Sequence, residues 1–373
     1  MNSKVGIKPC AEYDVNLVYS ALSEAVEAAG GLDVYGKRVL LKPNILFDSP
    51  PEKALSTHPV FLEAVIKLVK EKGTAEIFVG DSPGIQKPGF TGKICGLGPV
   101  TEKMGAIWAD FTIGKMELPC PKGKVQKSFP VGEIMGKVDC IISLPKLKTH
   151  QLMLFTGGMK NLFGVIPSLV KSPYHVKFPR REDFASMIVD LNLALDPAYT
   201  FMDAVTGMEG PGPGSGYPRK VGLVMASSNI LALDAAACHI IGYPPREIPI
   251  NRDALERGYW LKDFSEIDYC GADLDSLSVR DFEKIPLKKH GNQLMELVFP
   301  RFYRKFLEAR ASRPAIRHDT CIRCGDCIRI CSSKAMSFIQ GREKKEVHID
   351  YKKCIRCFCC HEICPVKAID IKK

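Results

Sequence analysis

Short apolar runs ending in polar loops recur through the first ~280 residues, alternating with stretches of helical periodicity, the signature of an α/β domain with a mainly parallel sheet. The runs KVGIKP (4–9), RVLLKPN (38–44), AEIFVGDSPG (75–84), VDCIISLPKLKTH (138–150), TFMDAV (200–205) and KVGLVMA (220–226) are predicted strands. Between them, residues 15–29 and 59–72 repeat apolar positions along one helix face and are predicted helices. Ligands of such sheets bind at the carboxyl ends of strands, so the polar residues just past each run are the candidates for a site.

After this domain, taken as residues 1–282, residues 283–313 read as a helical connector. Within it, residues 291–310 suit a helix with Leu294, Leu297, Val298, Phe302 and Phe306 on one side, kinked by Pro300. Packing of that helix on the main domain is weighed above a membrane-surface role for its basic face. Residues 314–373 form a small α+β unit of their own.

Composition narrows the class without deciding it. Of 373 residues, 46% are hydrophobic and 25% charged, ordinary for a globular protein. No apolar stretch reaches the ~18 residues of a membrane span, and the first ten residues start like a strand rather than a signal peptide. Together with reduced cysteines this points to the cytoplasm. The net charge is +10, and residues 313–373 hold fourteen Lys/Arg against seven Asp/Glu. Without aromatic residues interleaved in a basic groove, nucleic acid is a poor partner. An acidic redox protein suits the charge better.

The cysteines change the picture. Nine of fifteen lie in the last 53 residues, eight of them in two runs of C-x2-C-x2-C-x3-C spacing. Cys321, Cys324, Cys327 and Cys331 make the first; Cys354, Cys357, Cys360 and Cys364 make the second, closed by Pro365. The text repeats every 33 residues: CIRCGDCIRICSSKAMSF returns as CIRCFCCHEICPVKAIDI. Zinc sites use two pairs divided by a long spacer, and disulfide frameworks belong to secreted chains, so neither fits well. Cys359, beside Cys360, is a packed thiol or an alternative ligand.

This pattern resembles the two-cluster bacterial ferredoxins, departing from them where Ser332 replaces the usual proline of the first run. The resemblance implies two [4Fe–4S] clusters, electron transfer, and a crossed ligation. Cys321, Cys324 and Cys327 then pair with Cys364, and Cys354, Cys357 and Cys360 with Cys331. It also implies an anaerobic or microaerobic habit. A purely structural role for the clusters is the weaker alternative.

In the large domain, KPNIL (42–46), GDSPG (80–84), LPKLKTH (144–150), GGMKNLFG (157–164) and DAVTGMEGPGPGSG (203–216) resemble the uncharacterised-domain family numbered 362. Members often carry such a ferredoxin module; their activity is not established. His150 and Gly157-Gly158-Met159-Lys160 also resemble the nucleotide-cofactor domain of the lactate racemase family. There a histidine stands ten residues before a lysine that holds a nickel-pincer cofactor. That resemblance implies a shared fold and a pocket around His150 and Lys160, without the cofactor.

The residues support chemistry of their own. Lys42, Lys146, Lys148 and Lys160 place charge where an anionic substrate can be held. His150 has an unperturbed pKa near neutrality and suits proton transfer. His150, Lys160 and Asp81 are the catalytic candidates; Lys42, Asn44, Lys146, Lys148, Asn161 and Glu209 are the binding candidates. Asp203 ends a strand, the glycine-rich run around Glu209 suits a cover over a ligand, and Asp234 is either a helix cap or a buried carboxylate. Against each stands a plain alternative: solvated lysines, and a turn-capping Asp81. No dinucleotide fingerprint, Walker loop, zincin motif or nucleophile elbow occurs. The leading expectation is an iron–sulfur oxidoreductase passing electrons from the module to the α/β pocket. A docking electron carrier, or an activation factor for another metalloenzyme, are the alternatives.

Overall fold

The computed structural model describes residues 3–86, 89–287, 312–341 and 344–372. Its central sheet holds nine strands. These are β1 (Gly6–Pro9), β2 (Arg38–Pro43), β3 (Glu76–Val79), β4 (Ile107–Trp108), β5 (Cys140–Leu144), β6 (Lys146–His150), β7 (Leu154–Thr156), β8 (Tyr199–Glu209) and β9 (Tyr217–Ser227). All six predicted runs are strands, the fourth as two pieces, β5 and β6, divided at Pro145. Pairing is parallel among β4, β3, β2, β5 and β8, and between β8 and β6. Antiparallel β9 and β1 extend one side, and β7 folds back on β6. The architecture is mixed α/β with a largely parallel sheet, as the alternating pattern implies.

Helices cover both faces because successive residues of a buried strand point to opposite sides. Val39 and Leu41 of β2 pack with α1 (Val15–Ala28) and α2 (Pro59–Glu71). Asp14 caps α1 by accepting from the N–H groups of Asn16 and Leu17, and Val18, Ala21, Leu22, Ala25 and Val26 are its buried face. Leu40 faces the opposite core with α4 (Arg181–Leu195) and α5 (Ile230–Ile240). Between these lies α3 (Gly158–Asn161), a single turn pressed against α5.

The C-terminal unit is a pseudo-twofold pair. Strands β10 (Arg313–Ile316) and β13 (Ile369–Lys372) form one antiparallel ribbon, and β11 (Met336–Gln340) and β12 (Lys345–Ile349) form the other. Helices α6 (Asp326–Ile330) and α7 (Cys359–Ile363) pack together between them. Left-handed residues recur at the sequence period: Arg323 with Arg356, Gly325 with Phe358, Lys334 with Lys367. The repeat is thus one backbone path used twice.

The two parts of the chain touch. His361 Nε2 lies 3.0 Å from the Pro211 carbonyl, and Lys367 Nζ donates to the Gly216 carbonyl at 2.9 Å. Ile330, Cys359 and Ile363 pack against Phe47 and Ile85. Glu283–Leu287 still belongs to the large domain's surface: Gly210 N donates to the Glu283 carbonyl, and Ile285 and Leu287 pack on its core. The expected helix over residues 291–310 lies outside the described residues.

Candidate functional site

The carboxyl ends of β2, β3 and β6, the β7–α3 turn and the C-terminal unit enclose one cleft. The space between its walls, open solvent included, is about 810 Å³. Asn44, Asp81, Lys148, His150, Lys160 and Asn161 all line it. Six of the nine candidate residues read from the sequence thus line the same cleft.

Lys42 sits just beneath. It is fully buried, and its ammonium lies 2.7 Å from Asp81 Oδ1 and donates to Asn161 Oδ1 at 3.1 Å. Asp81 also accepts from Ile45 N at 2.6 Å and Ser82 N at 2.8 Å. Asn161 returns a hydrogen bond to the Lys42 carbonyl at 3.0 Å. This knot ties the ends of β2 and β3 to α3 and leaves Asp81 with little capacity for a ligand. Gly164 is required beside it: a Cβ there would meet Asp81 Oδ1 at 2.0 Å.

Lys148 and His150 project from β6 on one face. Lys148 Nζ donates to the Leu55 carbonyl at 2.8 Å, and burial pulls its pKa down to about 7. His150 Nδ1 accepts from Leu152 N and Met153 N at 3.1 and 3.3 Å, which puts the proton on Nε2. Burial and then Lys160 hold its pKa well below the usual histidine range, so the ring is neutral at pH 7. Nε2 faces Glu362 Oε1 at 3.4 Å, across the junction of the two parts.

Lys160 rises from α3. Its ammonium lies 4.9 Å above the Phe163 ring, and among the described residues no group accepts a hydrogen bond from it. Burial lowers its pKa, with Glu362 opposing. The turn beneath is set by Asp234, which accepts from Gly158 N at 2.6 Å and Met159 N at 3.1 Å. Asp234 is inside α5, whose cap is Asn229, so it anchors a neighbouring turn instead of starting its own helix. Burial pushes its carboxyl up to about 7. A Cβ at Gly157 would stand 2.2 Å from Asp234 Oδ1, which explains the Gly-Gly pair.

Two expected members are elsewhere. Lys146 is buried under the cleft, 2.9 Å from Asp203 Oδ2 and 2.6 Å from the Tyr13 hydroxyl, so its charge is already matched. Glu209 accepts from Glu283 N at 2.9 Å and lies 3.8 Å from Arg219, on the outer side of β8. The glycine-rich loop after it lends Pro213 to the wall of the cleft. It is the seat of the C-terminal unit: a Cβ at Gly214 would meet the Glu362 carbonyl at 2.2 Å. The expectation of solvated lysines also fails, because Lys42, Lys146 and Lys148 are all at most 1% exposed.

Other residues of the cleft escaped sequence reasoning. Lys171 donates to the Ser82 carbonyl, and burial lowers its pKa to about 7. His175 stacks on Phe184 at 4.3 Å, with a pKa pushed down to about 3 by burial. Glu362 arrives from the C-terminal unit, its pKa raised to about 7 by burial. Neither Lys171 nor His175 follows a strand, so the strand-end rule could not find them.

The cysteines divide into two sets. Cys321, Cys324, Cys327 and Cys364 line one small cavity; Cys331, Cys354, Cys357 and Cys360 line another. Backbone N–H groups of Ala335 and Ala368 donate to the sulfurs of Cys331 and Cys364 at 3.3 and 3.1 Å. Each set contains one cysteine from the other run, the crossing that the ferredoxin resemblance implies. Cys359 belongs to the walls of both the second thiol cavity and the cleft.

Residues 39–239 match the family model described as a domain of unknown function, DUF362. The chain belongs to the DUF362 family. Residues 314–371 of this DUF362 protein match the 4Fe-4S dicluster domain, which supports iron–sulfur binding by its C-terminal unit. A thylakoid-associated protein of Synechocystis sp. is 30% identical over 253 residues, covering 67% of this chain and 78% of the relative. Among solved structures, a Thermotoga maritima protein aligns with 15% identity and a TM-score of 0.35 over 58% of this chain and 56% of its own. The lactate racemase apoprotein of Thermoanaerobacterium thermosaccharolyticum aligns with 13% identity and a TM-score of 0.45, over 64% of this chain and 57% of its own. This chain thus covers less than two thirds of either solved structure. Among the described residues, no helix is long and apolar enough to cross a membrane.

Proposed function

We propose that this DUF362 protein is an iron–sulfur oxidoreductase, with two [4Fe–4S] clusters in its thiol cavities and a ligand in the cleft as electron acceptor. The observation that carries this reading is Cys359, a wall residue common to the second thiol cavity and the cleft. The donor set fits the group: four thiols stand around each cavity, two of the eight sulfurs accept from backbone N–H groups, and left-handed residues turn both loops alike. Clusters held there supply one-electron transfer.

The two sets have different surroundings. Cys321, Cys324, Cys327 and Cys364 share no cavity-lining residue with the cleft, and Cys324 is exposed. They form the outward set, open to a partner protein, and the set beside Cys359 is the inward one. Within the cleft, His150 offers the Nε2 proton as a hydrogen bond that orients the ligand. Lys148 and Lys171, each pulled toward neutrality, hold protons that a reduced ligand can take up.

Anaerobically purified protein, with its co-purifying ligand analysed by mass spectrometry before and after reduction by dithionite, tests this. A two-electron reduction of the cleft ligand is expected, seen as a gain of two hydrogens. Clusters that reduce and reoxidise over an unchanged ligand would make the protein a carrier instead.

A further inference from the structure

The cleft carries an electrostatic imbalance that its own side chains do not correct. Asp81 is matched by Lys42. That leaves Lys148, Lys160 and Lys171 facing one carboxylate, Glu362. Burial first, and neighbouring ammonium groups after it, lower the pKa of both Lys148 and Lys171, Lys160 acting on each. Buried like charges without counter-charge are costly, and proteins keep them where something else supplies the partner.

Unsatisfied polar atoms gather at the same place. Of ten buried side-chain N or O atoms without a hydrogen-bond partner among the described residues, four line this cleft. They are Asn44 Oδ1, Thr156 Oγ1, His175 Nδ1 and Glu362 Oε1. Thr156 is 4% exposed and His175 is 8% exposed, so bulk water does not satisfy them. Phe163, Ile330 and Ile363 provide an apolar wall.

We propose that the cleft binds a small organic oxyanion, its carboxylate or phosphate group among Lys148, Lys160 and Lys171 and its uncharged body against Phe163, Ile330 and Ile363. The site deepens the oxidoreductase reading, whose acceptor occupies the same cleft, but binding is measurable without any electron transfer. Lys160 is the central ligand because its ammonium alone of the three has no protein acceptor among the described residues. A carboxylate presents two oxygens and a phosphate three, and lysines, as point charges, accept either geometry.

The test is calorimetric titration of oxidised holoprotein, purified anaerobically, with benzoate, phenyl phosphate and the neutral isostere benzamide. At least one anion is expected to bind at least about tenfold more tightly than benzamide, and which one binds better distinguishes the two oxyanions. Lys160→Gln is expected to lose at least about tenfold in affinity for that anion, with Lys160→Arg recovering most of it. Visible spectra and iron content of both variants should match the parent, which separates loss of binding from loss of folding. Benzamide binding as tightly as the anions, an unchanged Lys160→Gln, or no anion binding at about 10 mM would overturn the proposal. Cluster reduction by dithionite, recorded separately, decides the electron-transfer reading whatever the titration shows.

Discussion

His150 Nε2, on the last residue of β6, lies 3.4 Å from Glu362 Oε1, on the helix that carries Cys359 and Cys360. The contact joins the two parts of the chain at the cleft. It requires α7 to sit on the glycine-rich loop, where Gly214 leaves no room for a side chain against the Glu362 carbonyl. Gly214→Val is therefore expected to lift α7 from its seat while both thiol sets stay intact. Iron content should be unchanged and electron delivery into the cleft slowed at least about tenfold, in line with the sensitivity of transfer steps to ångström displacements.

The Lys42–Asp81 pair sets the floor of the site. Both side chains are almost wholly buried, and Lys42→Met leaves Asp81 without its cation. Breaking a buried pair from one side costs about 3–5 kcal/mol, so chemical denaturation should show a loss of that order.

Lys148 behaves in the opposite sense. Its folded pKa is about 7, below the value of 10.5 in an unfolded chain. Between those values the unfolded state binds more protons, so this group's contribution to stability rises with pH from about 7 to 10 and is fully unfavourable below 7. Lys148→Met is expected to stabilise the ligand-free protein by about 1–2 kcal/mol at pH 7, the lost bond to the Leu55 carbonyl offsetting part of the gain. The pH dependence of that difference, measured by thermal unfolding, checks the sign.

Anion binding in the cleft should weaken as pH rises. Lys148 and Lys171 are each near half protonation at pH 7, and their protonated forms attract the anion. Glu362 faces the same space from the C-terminal unit. His150 and His175 stay neutral throughout. A fall of at least about tenfold in affinity for benzoate or phenyl phosphate between pH 6 and 8.5 is expected from calorimetry.

Cys359 separates the ligand sets from their neighbour. Cys359→Ser should keep all of its iron, whereas Cys360→Ala should lose the metal of one set. Loss of iron from Cys359→Ser would make it a ligand.

Periodicity revealed the sheet because its strands are short apolar runs, and β2, buried on both faces, reads as one continuous run. The cysteine pattern was equally plain, since ligand spacing is local and survives translation into structure. The junction was not legible. Glu362 looks like any surface carboxylate of a small module, and only the docking of α7 brings it to His150. Lys146 and Lys148 are two residues apart on one strand and cannot be told apart by sequence. Tyr13 and Asp203, remote in the chain, claim the first, while the second opens into the cleft. Glu209 lies apart from the cleft, held by Glu283 N, and the glycines after it stand against close neighbours at Gly212 and Gly214.

The proposed function requires a [4Fe–4S] cluster in each thiol cavity, the second of which shares Cys359 with the cleft. Anaerobically purified protein should contain about eight irons and eight acid-labile sulfides per chain and give, after dithionite, the interacting electron paramagnetic resonance signals of two neighbouring clusters. Cys354→Ala should halve the iron and leave one isolated signal. Zinc in place of iron, or a single cluster in the parent protein, would contradict the account.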